Sequence, residues 1–326
     1  MAPNRKKVLV PSNMGKQGVD ILRARDDVEL VVYPSTITLP DLHPMLADAA
    51  GIALSATPFR AAEAAASPVM QVVARIGVGY DAVEIPPLSA RRIPLMTAGI
   101  ANSTSVAEQA IGFFFALAKA HAAQDRLVRE GNWGGRYDLM PVELAGKSVL
   151  VIGYGRIGTR TARKCAALDM KVMVFDPFVP QGMISGAGHE AVTDLDEAVA
   201  RADFISIHVP KKADTIGMFD AARIGRMKKT AFLVNTARGG IIDEPALFDA
   251  LSNNRIAGAG LDVFDMEPTP KENRLLGLAN IITAPHMAGV TTEAVAAMAV
   301  ATANNMLSVF DGRIIADNVV NKEVLG

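Results

Sequence analysis

Cysteine is nearly absent from this chain of 326 residues, with Cys165 its single example. One thiol closes no internal disulfide and leaves no cysteine-based metal site, so its expected role is packing. Histidine is scarce too. None of the five is paired at zinc-binding spacing, and no metal is expected. An excess of either charge is also missing: 33 basic and 34 acidic residues are mixed along the sequence, for a net charge of −1, which argues against nucleic acid or an anionic membrane as partner. The apolar stretch Ala110–Ala118 stops at Lys119, short of the roughly 20 residues that span a bilayer. At the basic N-terminus, Val8-Leu9-Val10 meets Pro11, which predicts a first strand and not a signal peptide. A soluble, cytoplasmic protein is expected.

What the chain does have is concentrated at 149–158. Val149-Leu150-Val151-Ile152 is an apolar strand that runs directly into Gly153, Gly155 and Gly158 and then into an alanine-rich helix. This is the dinucleotide-binding fingerprint in its strand–turn–helix context. Gly153 permits the tight turn, Gly155 lets backbone approach a pyrophosphate, Gly158 lets helix pack on strand, and the helix N-terminus offers N–H donors to the anion. A second strand, 171–175, ends in Asp176, about 20 residues after Gly158 as the fingerprint requires. A carboxylate there accepts from a ribose 2′-hydroxyl and repels a 2′-phosphate, so NAD is expected in preference to NADP.

The length predicts two domains, and an apolar content of 50% predicts compact cores, with the 15 methionines as core filler. Residues 6 to about 100 alternate apolar strands (7–10, 28–33, 52–55, 72–76, 94–96) with helical patterns (18–25, 39–50, 61–67), which implies a parallel sheet covered on both faces. A helix is predicted from a polar cap at Ser103 to His121, followed by a glycine-rich arm around Trp133. A second series of about six strands (149–152, 171–175, 204–208, 231–235, 258–262, 281–283) predicts a complete Rossmann unit. A long helix is predicted over 291–310, and the tail 314–320 is expected to pack back onto the first domain. The fold class is therefore α/β with two Rossmann-like, doubly wound parallel sheets. A nucleotide-binding domain (103–290) is inserted into a substrate domain (1–102 and 291–326).

Three strand ends of the second series carry charged groups: Asn235-Thr236-Ala237-Arg238-Gly239-Gly240, Leu261-Asp262-Val263-Phe264-Asp265-Met266-Glu267-Pro268 and Thr283-Ala284-Pro285-His286-Met287-Ala288-Gly289. Ligands bind beyond the carboxyl ends of parallel strands, so an arginine, a carboxylate and a histidine are expected in one crevice. In these segments the chain closely resembles the D-2-hydroxyacid dehydrogenase family, which includes D-3-phosphoglycerate, D-lactate and glycerate dehydrogenases, and the resemblance covers nearly the whole chain. It implies that Arg238, Glu267 and His286 are catalytic. Beside the three glycines, it implies cofactor contacts at Arg156, Ile157, Asp176, Val209, Pro210, Thr236, Ala237, Asp262 and the segment from His286 to Gly289. The backbone at Val78 and Gly79 matches the family loop that holds the substrate carboxylate, with Arg238 and His286 also on the substrate. A homodimer built on the Ser103–His121 helix and the Trp133 arm is implied as well. Its physical motive is that Phe113, Phe114 and Phe115 cannot all face one side of a helix.

Elementary chemistry fits these roles. An imidazole at His286 exchanges a proton with the substrate oxygen while hydride moves between C2 and the nicotinamide. A neighbouring Glu267 favours the imidazolium and orients the ring, and the planar fork of Arg238 matches a carboxylate and polarises the carbonyl. His43, His121 and His189 are expected to be structural. For His208, cofactor-side support competes with plain packing, and for Asn102 and Glu108 structural and cofactor-side roles are both open. The reading is an NAD-dependent dehydrogenase or 2-ketoacid reductase of the glyoxylate or hydroxypyruvate type. One alternative is a D-3-phosphoglycerate dehydrogenase, disfavoured because Leu54 stands where those enzymes typically place an arginine; Arg60, Arg75, Arg129 and Arg136 are the candidate replacements. Formate is disfavoured because formate dehydrogenases of this fold carry glutamine in place of Glu267. From another class, a dinucleotide-sensing corepressor-like protein is the rival, and the expected lack of an interaction tail beyond Gly326 counts against it.

Overall fold

The computed structural model describes residues 5–326. The chain divides into two compact units, one running to Asn102 and resuming at Gly289–Gly326, the other Ser103–Ala288. The return crossing thus lies at 288/289, two residues before the expected 290/291.

The first unit opens with β1 (Lys6–Pro11), α1 (Lys16–Arg23), β2 (Val28–Tyr33), α2 (Leu39–Leu46), β3 (Ala49–Leu54), α3 (Ala61–Ala65), β4 (Val72–Arg75), α4 (Ile85–Ala90) and β5 (Leu95–Met96). The strands form one parallel sheet in the order β2-β1-β3-β4-β5. Thr38 starts α2 by accepting from the Asp41 amide. The helix stops four residues before the expected end at Ala50, because Ala49-Ala50-Gly51-Ile52-Ala53-Leu54 is buried along its whole length as β3. A fully buried strand shows no alternation, so a short apolar run does not distinguish it from a helix end.

The second unit contains α5 (Ser103–Ala118), α6 (His121–Arg129), β6 (Ser148–Ile152), α7 (Gly158–Ala166), β7 (Lys171–Phe175), α8 (Gln181–Gly186), β8 (Glu190–Ala191), α9 (Leu195–Arg201), β9 (Phe204–Ile207), α10 (Ala221–Ile224), β10 (Phe232–Asn235), α11 (Glu244–Ser252), β11 (Gly258–Leu261) and β12 (Ile281–Thr283). Its seven parallel strands run β12-β11-β10-β9-β6-β7-β8. The order reverses between β6 and β9, and a ligand crevice opens beyond the carboxyl ends of strands at such a switch point. The two-residue edge strand β8 leaves no periodic signal in the sequence. The helix predicted over 103–121 is cut at Ala118, and Ala120 takes a left-handed φ of 50° before α6 begins. Phe113 lies directly against Gly260 of β11, and Phe114 packs edge-on to Phe204 at 5.0 Å. Both are buried within their own unit, so the triple phenylalanine by itself supplies no motive for a second chain. Cys165 is buried, and burial pushes its thiol up to about 12, as suits a packing residue.

The chain returns to the first unit with α12 (Thr292–Phe310), capped by Thr291, whose hydroxyl accepts from the Ala294 amide. By length and composition this helix could cross a membrane. One face of it, including Ala299, Ala303 and Met306, is buried in the core that also holds Val8, Val10 and Ala74. A Cβ on Gly18 of α1 would overlap the Ala299 carbonyl, so α1 and α12 meet backbone to backbone. These contacts identify α12 as a core helix. The tail forms short 3-10 turns, and it is bound to β5 where Val320 N donates to Leu95 O at 2.8 Å and Leu95 N donates to Asn321 Oδ1 at 2.8 Å.

Candidate active site

The glycine loop joins β6 to α7 at the switch point. Gly153 has φ 93°, and a Cβ there would come within 2.7 Å of the His208 carbonyl oxygen, while one on Gly158 would overlap the Gly153 carbonyl. Protein packing alone therefore demands glycine at these two positions. A Cβ on Gly155 would meet nothing within 4 Å. No packing within the described residues requires glycine at 155. Ile157, at the N-cap of α7, makes no side-chain bond to the first helical amides, which leaves the capping position open to an anion. At the end of β7 Asp176 is fixed against this loop: Oδ2 accepts from Tyr154 N at 2.7 Å and Oδ1 from Phe178 N at 2.9 Å. Across the switch point His208, Val209 and Pro210 leave β9. His208 Nε2 lies 2.9 Å from Ser206 Oγ, its Nδ1 is buried without a partner among the described residues, and burial pushes the ring down to about 3, so it is neutral. The Thr236 hydroxyl, beyond β10, is likewise buried and unpartnered. Such polar atoms are normally satisfied by protein, by ordered water or by a ligand.

Arg238 is carried on the turn after β10. Asn235 clamps that turn, with Nδ2 donating to Arg238 O at 2.8 Å and Oδ1 accepting from Ala237 N at 2.9 Å, and Arg238 Nη1 donates to Ala237 O at 2.7 Å. A Cβ on Gly239 would overlap the Phe264 carbonyl, so the arginine turn packs directly on the loop that follows β11. In that loop Glu267 Oε1 accepts from Phe264 N at 2.9 Å, and Oε2 lies 2.6 Å from His286 Nδ1. His286 follows β12 with φ 55°. Buried Asp262 holds it there: its carbonyl accepts from His286 N at 2.8 Å, and its carboxylate accepts from Met287 N at 2.7 Å and Ala288 N at 2.8 Å. Burial raises the Asp262 carboxyl, and these two amides oppose that rise. With Nδ1 committed to Glu267, Nε2 is the remaining nitrogen of this half-exposed ring.

Val78 and Gly79 follow β4 in the first unit, next to Gly77 with φ 127°. Gly289 also belongs to that unit, where its Cα faces the Asn102 side chain, and Asn102 Oδ1 is buried without a partner among the described residues. Glu108 pairs with Lys164 at 2.9 Å and ties α5 to α7. His43 pairs with Glu63 at 2.7 Å, and His189 lies edge-on to Tyr154. Among the described residues no cluster of His, Cys, Asp or Glu is placed to hold a metal. Asp265 accepts from Gly240 N on the arginine turn and Glu244 accepts from Asp265 N in the loop around Glu267, and neither carboxylate stands out in the sequence. Nothing local separates them from solvated loop acids, because their partners lie on other elements.

The model of the D-isomer specific 2-hydroxyacid dehydrogenase, NAD binding domain, matches residues 111–288. A D-3-phosphoglycerate dehydrogenase of Archaeoglobus fulgidus is 36% identical over 315 residues, which cover 97% of this chain and 57% of that protein. The chain therefore spans under three fifths of the length of that relative. A glyoxylate reductase of Thermofilum pendens is 34% identical over 328 residues, covering 98% of this chain and 96% of the relative. The crystal structure of an NADPH-dependent glyoxylate/hydroxypyruvate reductase from Sinorhizobium meliloti, in complex with NADP and malonate, has the same fold with a TM-score of 0.84 and 28% identity, covering 98% of each chain. The chain belongs to the D-isomer-specific 2-hydroxyacid dehydrogenase family.

Proposed function

We propose that this chain is an NAD-dependent dehydrogenase or reductase of a small D-2-hydroxy or 2-keto acid, of the glyoxylate or hydroxypyruvate type. The observation that carries the reading is the pairing of His286 Nδ1 with Glu267 at 2.6 Å in the sheet whose switch point bears the glycine loop. When bound, the nicotinamide gives or takes hydride at substrate C2. His286 Nε2 donates the proton to the carbonyl oxygen in reduction and removes it in oxidation, while Glu267 holds Nδ1–H and fixes the tautomer. Arg238 binds the carboxylate and polarises the carbonyl, and the backbone of Val78–Gly79 keeps the substrate-carboxylate role that the resemblance implies. The open side of Gly155, the unpartnered Thr236 hydroxyl and the fixed Asp176 are what supports a dinucleotide here.

For the cofactor, the reading takes NAD over NADP because Asp176, held by two amides, presents negative charge where a 2′-phosphate would lie. The S. meliloti relative takes NADPH, so the family fold alone does not decide this choice. For the substrate, it takes an unphosphorylated acid, since a phosphate dianion needs several convergent donors. Leu54 is fully buried, Arg75 donates to the carbonyls of Leu54 and Ile76, Arg129 pairs with Asp125, and Arg136 covers Trp133 and Tyr137. Arg60 is exposed and follows the Ser55–Thr57 segment in sequence. We also infer a homodimer, supported by the exposed apolar side chains of Val128, Trp133, Tyr137 and Met140 on α6 and the arm after it.

The test is kcat/KM for glyoxylate and hydroxypyruvate with NADH and NADPH, against 3-phosphoglycerate with NAD. Keto-acid reduction with NADH should be fastest. A higher kcat/KM with NADPH would overturn the cofactor choice. Efficient 3-phosphoglycerate oxidation, abolished by Arg60→Ala, would place the chain with the phosphoglycerate enzymes, which the A. fulgidus relative keeps as the second reading. No turnover of any 2-keto or 2-hydroxy acid, with NADH bound, would favour the dinucleotide-sensing rival.

A further inference from the structure

We infer that Asp265 is a positioning residue of the reaction: its carboxylate ties the turn that carries Arg238 to the loop that carries Glu267, and so sets the spacing between the guanidinium and the imidazole. The inference rests on the catalytic reading of Arg238 and His286 given above.

The connection is continuous. Gly240, two residues after Arg238, donates its N–H to Asp265 Oδ1 at 2.6 Å, and its carbonyl accepts from Gly217 N at 2.8 Å. Gly239 lies against the Phe264 carbonyl, the residue before Asp265. Asp265 N donates to Glu244 Oε1 at 2.7 Å, and Glu244 Oε2 accepts from Asn273 Nδ2 at 2.9 Å, so the first residue of α11 pins the loop at two points. Phe264 N in turn donates to Glu267 Oε1, and Glu267 Oε2 holds His286. The Lys211 ammonium lies 2.8 Å from the point a Cβ on Gly240 would occupy, so the turn is packed closely on this side too.

The physical need for such a tie follows from the chemistry. Arg238 must grip the carboxylate while His286 reaches the neighbouring oxygen, and the two residues sit on separate turns after different strands. A displacement of about 1 Å between groups that act together costs on the order of a hundredfold in rate. An amide donating to a carboxylate is a charge-assisted bond, stronger than the same amide donating to water or to a neutral group. Asp265 therefore fixes a separation that neither strand end fixes alone.

Three readouts test this: NADH binding by fluorescence, thermal melting, and kcat and KM for the keto acid. Asp265→Ala removes the acceptor and should lower kcat/KM for the keto acid about ten- to a hundredfold, with NADH affinity within about twofold of wild type and melting little changed. Asp265→Asn keeps an acceptor oxygen in the same shape and should restore most of the rate. If the alanine variant does not fold, Asp265→Ser, whose hydroxyl is one bond too short to reach Gly240, takes its place with the same expectation. Wild-type turnover in the alanine or serine variant overturns the inference, as does an asparagine variant as impaired as alanine. His286→Ala and Arg238→Ala are run alongside. If they lose turnover and Asp265→Ala does not, the inference fails alone; if they keep wild-type turnover, the catalytic reading fails and this inference falls with it.

Discussion

His208 and His286 follow two strands of one sheet, and their surroundings give the same ring two different environments. His286 is half-exposed with a carboxylate on Nδ1, as the proposed proton transfer requires. His208 has a buried, unpartnered Nδ1 and is held at about 3 by burial, so it stays neutral in the folded protein. The consequence is a stability effect. Unfolded, the ring titrates near its ordinary value of about 6.5, so below that pH the unfolded chain binds a proton that the native chain refuses. Stability therefore falls as pH falls below about 6.5. Between pH 7.5 and 5.5 the wild type should lose about 1 kcal/mol more than His208→Gln, read as the shift in urea midpoint at the two pH values. Equal losses would mean that His208 is not held neutral. At this scale the segments that carry Arg238, Glu267 and His286 stood out in the sequence, because each is a charged strand end whose residue pattern carries the family resemblance. Asp265 and Glu244 were not, because a carboxylate on a loop looks the same in sequence whether it meets water or a distant amide.

The glycine loop holds glycines of two kinds, as its fingerprint leads one to expect. Gly158 is required by the protein, since its Cβ would overlap backbone of Gly153 and no flexible side chain is there to yield. Gly158→Ala should push α7 off β6, destabilising the unit by at least about 1–3 kcal/mol, the usual cost of overpacking, and weakening NADH binding with it. Gly155 is different, with open space where its Cβ would go. Gly155→Ala should melt with the wild type yet bind NADH more weakly, measured by fluorescence titration; wild-type affinity in this variant would mean that the cofactor does not use that space. Helices show the same limit of local reading. The pattern over 39–50 continued one residue type into the next element, and only the burial of β3 on both faces ended α2 at Leu46. Likewise α12 is as apolar as a membrane span by composition, and what assigns it to a core is the face it packs on α1 and β4.

For the whole molecule, the exposed apolar side chains of α6 and its arm are the strongest sign of a partner surface, and α6 buries none of its residues within the chain. A homodimer should therefore sediment at micromolar concentration, and replacing Trp133 and Met140 by serine should shift it toward monomer; a wild-type monomer would defeat the proposal. The two sheets also show which features a sequence holds by itself. The alternation of strands and helices, the glycine triplet with its acid, and the three charged strand ends were determined locally, because each depends on backbone geometry within a few residues or on a period of burial. The tertiary structure decided the rest: which ring nitrogen of His286 meets the expected Glu267, that Asp262 holds the histidine loop, that Phe113 and Phe114 are consumed inside their own unit, that Arg75 is occupied by carbonyls, and that Asp265 joins two turns. Each of these is a contact between residues far apart in the chain, set by strand order, and no pattern within a single segment specifies which distant element will lie beside it.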